Sequence, residues 1–183
     1  MDLKFPGDKA LHLVIGDITR VPADAIVNAA NSALAGGGGV DGAIHRMGGP
    51  SLMQELNGIR HQIGSCQPGT AVATGAGALP ARWVFHAVGP IYRGGAQGEA
   101  ETLASCYRTC LRMAGERQAR SISFPSISTG AYGYPVAEAA QIALDVVTKF
   151  LQSADAGPSD VTFVLYDRRT YEAYSSCFQN REN

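Results

Sequence analysis

The chain has 183 residues, 45% hydrophobic and 17% charged, with a formal net charge of −1. That size and balance suit one well-cored domain over residues 1–183. The near-neutral charge counts against strong general nucleic-acid binding, which needs many Lys and Arg facing phosphates. The most continuous apolar runs, such as Val161 to Tyr166, fall far short of the roughly 20 residues that span a bilayer, so no membrane partner is expected.

Met1 to Asp8 lacks the charged start and apolar run of a secretion signal, which points to the cytoplasm. Strand patterns follow at Leu11 to Ile15 and Ala25 to Val27, then a helix-like Gly42 to Met47, then strands at Ala71 to Thr74 and Trp83 to Val88. From Glu101 to Ala114 the apolar residues Leu103, Tyr107, Cys110, Leu111 and Ala114 recur at helical spacing, with Arg108 and Arg112 on the other face. A strand at Ser121 to Phe124 leads to a helix from Pro135 to about Gln152, since proline suits a first helical turn. Ser153 to Asp160, containing Gly157-Pro158, is a turn before the Val161 to Tyr166 strand and a last helix over Thr170 to Phe178. Several strands are apolar on both faces, which places them inside a sheet covered by helices on each side. Cys66, Cys106, Cys110 and Cys177 lack zinc-site spacing and read as buried reduced thiols; no metal and no cofactor is expected.

In such an α/β sheet, ligands sit beyond the carboxyl ends of central strands. Two loops suit that position. The first runs from Asn28 to Asp41 and contains Gly36, Gly37, Gly38 and Gly39, a stretch of bare backbone offering amides to an anion. The second, Phe124 to Pro135, is a strand, a Ser/Thr/Gly-rich turn and a helix start, where unpaired amides and a partial positive charge favour phosphate. Neither loop contains lysine, and neither matches the triphosphatase or dinucleotide glycine fingerprints.

A third polar element, Gly16-Asp17-Ile18-Thr19, follows the first strand. Spacing leaves two readings for Asp17: an acceptor for an exocyclic amine, or a helix cap. Asp41 and Asn31 likewise could act on a ligand, or cap a helix and a turn. His45 reads as structural, because no third group completes a triad around it, and His86, inside an apolar strand, reads as a hydrogen-bonded core residue.

Taken in order, Gly16-Asp17-Ile18-Thr19, Ala25 to Asn31, Gly36 to His45 and Ile127 to Pro135 closely resemble the macrodomain family, with the best fit to its MacroD-type branch. The resemblance spans nearly the whole chain. It implies a three-layer α/β/α fold with a central mixed sheet of about six or seven strands. It also implies a cleft for ADP-ribose, in which Asp17 binds the adenine amine beside Ile18. By the same resemblance Ser128, Thr129, Gly130, Ala131 and Tyr132 would wrap the diphosphate, Gly37, Gly38, Gly39 and Val40 would close over it from the other side, and Asn28 is a further ligand-binding residue. Asn31 holds the distal ribose and Asp41 acts at its anomeric end; these two are the catalytic pair. The activity implied is ester hydrolysis at the distal ribose of O-acetyl-ADP-ribose and of proteins mono-ADP-ribosylated on Asp or Glu. The alternatives are a reader that binds ADP-ribose without turnover, or an RNA or poly(ADP-ribose) binder.

Overall fold

A computed structural model describes residues 1–154 and 156–179. The expected Ser153 to Asp160 turn includes Asp155, which lies outside the described residues. The strands are β1 (Asp2–Phe5), β2 (Lys9–Ile15), β3 (Ala25–Ala30), β4 (Ala71–Gly75), β5 (Trp83–Val88), β6 (Ser121–Phe124) and β7 (Asp160–Leu165). The helices are α1 (Gly39–Gly48), α2 (Ser51–Ile63), α3 (Glu99–Glu116), α4 (Val136–Gln152) and α5 (Arg168–Gln179), with a single 3-10 turn at Ile18–Arg20. Two elements were not expected from sequence, β1 and α2. A third difference lies at β3, which continues to Ala30 and so takes Asn28 out of the glycine-rich loop and into the sheet.

The seven strands lie in the order β1-β2-β7-β6-β3-β5-β4. The five inner strands are parallel and the two edge strands antiparallel. This is the expected mixed sheet, with helices on both faces. Alternate residues of β3 show the layering: Ala25 and Val27 join the core beneath α3, α4 and α5, whereas Ile26 packs with Ile44 of α1 and Leu52 of α2.

The α3–α5 side holds an aromatic group in which Phe163 stacks obliquely on Tyr107, Phe124 and Tyr174 at centroid distances of 6.0, 5.7 and 5.2 Å. Such pairs add about 0.5–1.5 kcal/mol each beyond their burial. Their hydroxyls also reach the loop after β6. Tyr107 accepts from the Ile127 amide at 3.3 Å, and Tyr174 donates to Ser126 Oγ at 3.1 Å. The core thereby fixes the second expected loop.

Candidate functional site

Connections from β3 run towards β5, whereas those from β6 run towards β7, so the strand order reverses between the parallel neighbours β6 and β3. Open α/β sheets bind ligands at such a switch point. The two expected loops follow these two strands. Here the carboxyl ends of all five parallel strands meet a cavity of about 820 Å³, lined by Gly16, Asn31, Gly89, Pro125 and Leu165 among others.

Of the residues expected at the site, Asp17, Ile18, Asn31, Gly37, Gly38, Gly39, Val40, Asp41, Ser128, Thr129, Gly130, Ala131 and Tyr132 all line this cavity. Asn28 does not: it is fully buried behind the wall, and its Nδ2 donates to Asp41 Oδ1 at 2.7 Å. The strand extension explains the difference, because alternation turns Asn28 towards α1 and not towards the strand ends.

The glycine run divides its work. Gly36 and Gly39 sit at φ of 80° and 56°, a left-handed region that glycine enters without strain. Gly37 has no such need, but a Cβ there would come within 3.4 Å of Asp41 Oδ2 and 3.9 Å of Asn31 Nδ2. A side chain would therefore fill the gap between the two expected catalytic groups. Gly38 precedes the first turn of α1, whose opening amides and dipole face the cavity. Among the described residues, no protein acceptor takes the amides of Thr129 to Tyr132 on the opposite wall either. Arg46 is, among the described residues, the only cationic side chain in the lining.

The acidic groups are set differently. Asp17 caps the 3-10 turn, its Oδ1 accepting from the Thr19 hydroxyl at 2.7 Å and the Thr19 amide at 2.9 Å. Those bonds, the hydroxyl first, hold its carboxyl below the usual range. The capping reading is thus realised by one oxygen, and Oδ2 remains, 3.7 Å from Arg20. Asn31 also serves its own loop, donating to Gly36 O at 2.9 Å and accepting from the Ala35 amide at 3.2 Å. Asp41, by contrast, caps nothing: Gly38 holds the cap position, and Asp41 Oδ1 faces Asn28 and, at 3.3 Å, His45 Nε2.

Sequence reasoning missed part of the wall. Tyr166, Asp167 and Thr170 complete the lining beside Asp17, and the Tyr166 ring is 83% exposed. Tyr166 was read as a strand residue, but it falls one position past β7, at the strand end where ligand contacts collect.

Glu99, at the start of α3, was missed too. Its carboxylate accepts from the amides of Arg93, Gly95 and Gln97 at 2.9, 3.1 and 2.7 Å. Tyr92 in the same loop donates its amide to Tyr132 O at 2.9 Å, so this acid braces the cavity wall. Those amide bonds, led by that of Glu99 itself, hold the Glu99 carboxyl down at about 2 from 4.5. Because the folded value is the lower one, the bracing is present above about pH 4.5 and fades as pH falls towards 2. Glu99→Gln should speed hydrogen exchange at the Arg93, Gly95 and Gln97 amides at neutral pH; unchanged exchange would refute the bracing.

These features define an α/β domain whose switch-point cavity presents backbone amides from two loops and almost no cationic side chains, an arrangement suited to an anionic ligand. The chain belongs to the macrodomain family, whose Macro domain model matches residues 27–143. It is 51% identical over 164 residues to the O-acetyl-ADP-ribose deacetylase of Enterobacter sp. (strain 638), an alignment covering 90% of this chain and 91% of that protein. A variant of the Oceanobacillus iheyensis macrodomain, solved with ADPR, superposes with a TM-score of 0.92 at 41% identity, over 100% of this chain and 99% of the other. The Trypanosoma brucei macrodomain in complex with ADP-ribose gives a TM-score of 0.82 at 40% identity, over 92% of this chain and 68% of that one.

Proposed function

We propose that the chain is an ADP-ribose-binding hydrolase, a single cytoplasmic macrodomain that cleaves esters at the distal ribose. Its substrates are O-acetyl-ADP-ribose and the mono-ADP-ribosylated Asp and Glu side chains of proteins. One observation carries the hydrolase over the reader. The second oxygen of Asp41 lies across the Gly37 gap from Asn31, which follows β3, three strands along the sheet from the β2 end that Asp17 follows.

With adenine at Asp17 Oδ2 and beside the exposed Tyr166 ring, the diphosphate meets the amides of Gly38 to Val40 and of Thr129 to Tyr132. Hydrogen bonds to charged acceptors are worth about 1.5–3 kcal/mol each, so amides alone suffice without lysine. The distal ribose then reaches Asn31, which exchanges its bonds to the 31–36 loop for bonds to ribose hydroxyls. Asp41 orients a water and takes its proton as it attacks. One water is consumed per ester, and the products are ADP-ribose and a carboxylic acid. General-base assistance of this kind contributes about 10²–10⁴-fold. Alignment of water and ester contributes more, up to about 7–11 kcal/mol.

The deciding experiment incubates the protein with O-acetyl-ADP-ribose and, separately, with protein mono-ADP-ribosylated on Asp and Glu, and quantifies released ADP-ribose. Release from both is expected. Calorimetric binding of ADP-ribose with no release from either substrate would select the reader.

A further inference from the structure

We propose that Thr74, His86 and Asn28 are positioning residues: a one-way hydrogen-bond chain that fixes which oxygen of Asp41 faces the cleft. The proposal rests on the hydrolase reading above. None of the three lines the cavity, and all are buried in the layer between the sheet and α1 and α2. Register places them together, since Asn28 of β3 pairs directly with His86 of β5, and β4 runs alongside β5 with Thr74 opposite Val84.

Asn28 Nδ2 lies 2.7 Å from Asp41 Oδ1 and 3.1 Å from His86 Nδ1. His86 Nε2 lies 2.9 Å from Thr74 Oγ1, which lies 2.9 Å from the Gly75 carbonyl oxygen. Both ends of this chain are groups that only accept, a carboxylate and a carbonyl, and that fixes every proton between them. The carboxylate requires the amide face of Asn28, not its oxygen. The second Asn28 hydrogen then points at His86 Nδ1, which must accept. Burial, reinforced by nearby His45, pushes His86 down to about 3, so the ring is neutral and carries one proton. With Nδ1 accepting, that proton sits on Nε2 and goes to Thr74 Oγ1, and the threonine proton goes to Gly75. The opposite tautomer would set Nδ1–H against the Asn28 amide, and the Thr74 hydroxyl would have to leave Gly75 to donate to Nε2.

Among the described residues, Asn28 Oδ1 has no hydrogen-bond partner. The amide is therefore oriented wholly by what its nitrogen contacts. His45 Nε2 approaches the same Asp41 oxygen, at 3.3 Å, so these close polar contacts of the carboxylate fall on Oδ1. Oδ2 is left for the cleft beside Gly37. If His86 changed tautomer, Asn28 could satisfy it only by turning its oxygen towards Nδ1 and hence towards the carboxylate, and Asp41 would lose its fixed rotamer.

The test uses the full chain and two substitutions at Thr74, which lies two side chains away from Asp41. Thr74→Val keeps the shape and removes the acceptor for His86, whereas Thr74→Ser keeps the hydroxyl. Thr74→Val should lower kcat on O-acetyl-ADP-ribose about tenfold, with KM and ADP-ribose affinity changed by less than about twofold, and Thr74→Ser should stay within about twofold throughout. Nitrogen-15 NMR of the wild-type His86 ring should show a single neutral tautomer protonated on Nε2, and Thr74→Val should convert it to a mixture. A wild-type ring protonated on Nδ1, equal losses in the valine and serine variants, or a folded valine variant with unchanged kcat would overturn the proposal. If the valine variant does not fold, the wild-type tautomer decides. A wild-type protein that releases no ADP-ribose would refute the hydrolase reading instead, and the His86 tautomer would still decide whether the chain exists.

Discussion

Asp41→Ala is expected to lower kcat for ester hydrolysis by about 10²–10⁴-fold while leaving ADP-ribose affinity within about tenfold of wild type. The split follows from where the carboxylate stands. It is bonded to Asn28 of β3, three strands along the sheet from the β2 end that carries Asp17, so the contacts expected to hold adenine and diphosphate remain. Its negative charge also sits at the same helix N-terminus that would receive the diphosphate. Removing it relieves repulsion with the ligand, which offsets any lost ribose contact. Stability should fall, because the Asn28 amide is left buried without its carboxylate, a loss of about 1–3 kcal/mol. For a chain of this length that corresponds to a Tm lower by about 2–12 °C. Calorimetric titration with ADP-ribose, chromatographic assay of its release and thermal unfolding measure the three quantities separately. Full hydrolytic activity in a folded Asp41→Ala protein would remove the carboxylate from the mechanism.

Much of this arrangement was legible because strands apolar on both faces and helices with a repeating apolar stripe announce a covered sheet. The loops that matter also carry their chemistry in plain view, as glycines, serines and threonines without lysine. What escaped depended on pairing between distant segments. α2 shows only Leu52 and Leu56 fully buried and has Gly58 within it, so its stripe is short; its boundary signals were Pro50 before it and Gly64 after it. β1 is a four-residue edge strand, half exposed, and is held by the His12 ring bonded to Asp2 at 2.5 Å across the β1–β2 pair. Nothing local to Asp2 predicts that contact.

The site divides in the same way. Asp17 and Asn31 each turned out to satisfy local backbone, as their spacing allowed, while still standing on the cavity wall. The role of Asn28 was not legible, since it depends on the β3–β5 register that sets His86 beside it. Glu99 was hidden for a similar reason: a glutamate at a helix start is ordinary, and only the folded loop shows three amides turned onto it.

Gly89→Ala should cost ADP-ribose about 100-fold or more in affinity and lower stability by about 1–3 kcal/mol, although residue 89 carries no side chain of its own. Gly89 lies directly after β5, and a Cβ there would fall well inside contact distance of Ser128 Oγ and 2.6 Å from Ile127 Cγ2. Neither neighbour yields easily. Ile127 is fully buried and its amide is held by Tyr107, while Ser128 already sits at φ of 65°, unusual for a residue with a side chain. The relief available is a shift of the whole Ser126 to Tyr132 loop, which moves the amides that face the diphosphate. Misaligning two bonds to a charged phosphate, at about 1.5–3 kcal/mol each, accounts for the lost affinity. Gly58→Ala is the matched control: it lies in α2 outside the cavity lining, the same added methyl meets nothing within 4 Å, and affinity should stay within about threefold. Adding Ser128→Gly to Gly89→Ala removes the crowded hydroxyl and the strained φ together, and should recover part of the binding. Calorimetry on the three variants separates the outcomes, because wild-type affinity in Gly89→Ala would mean that the loop moves without consequence and does not hold the ligand.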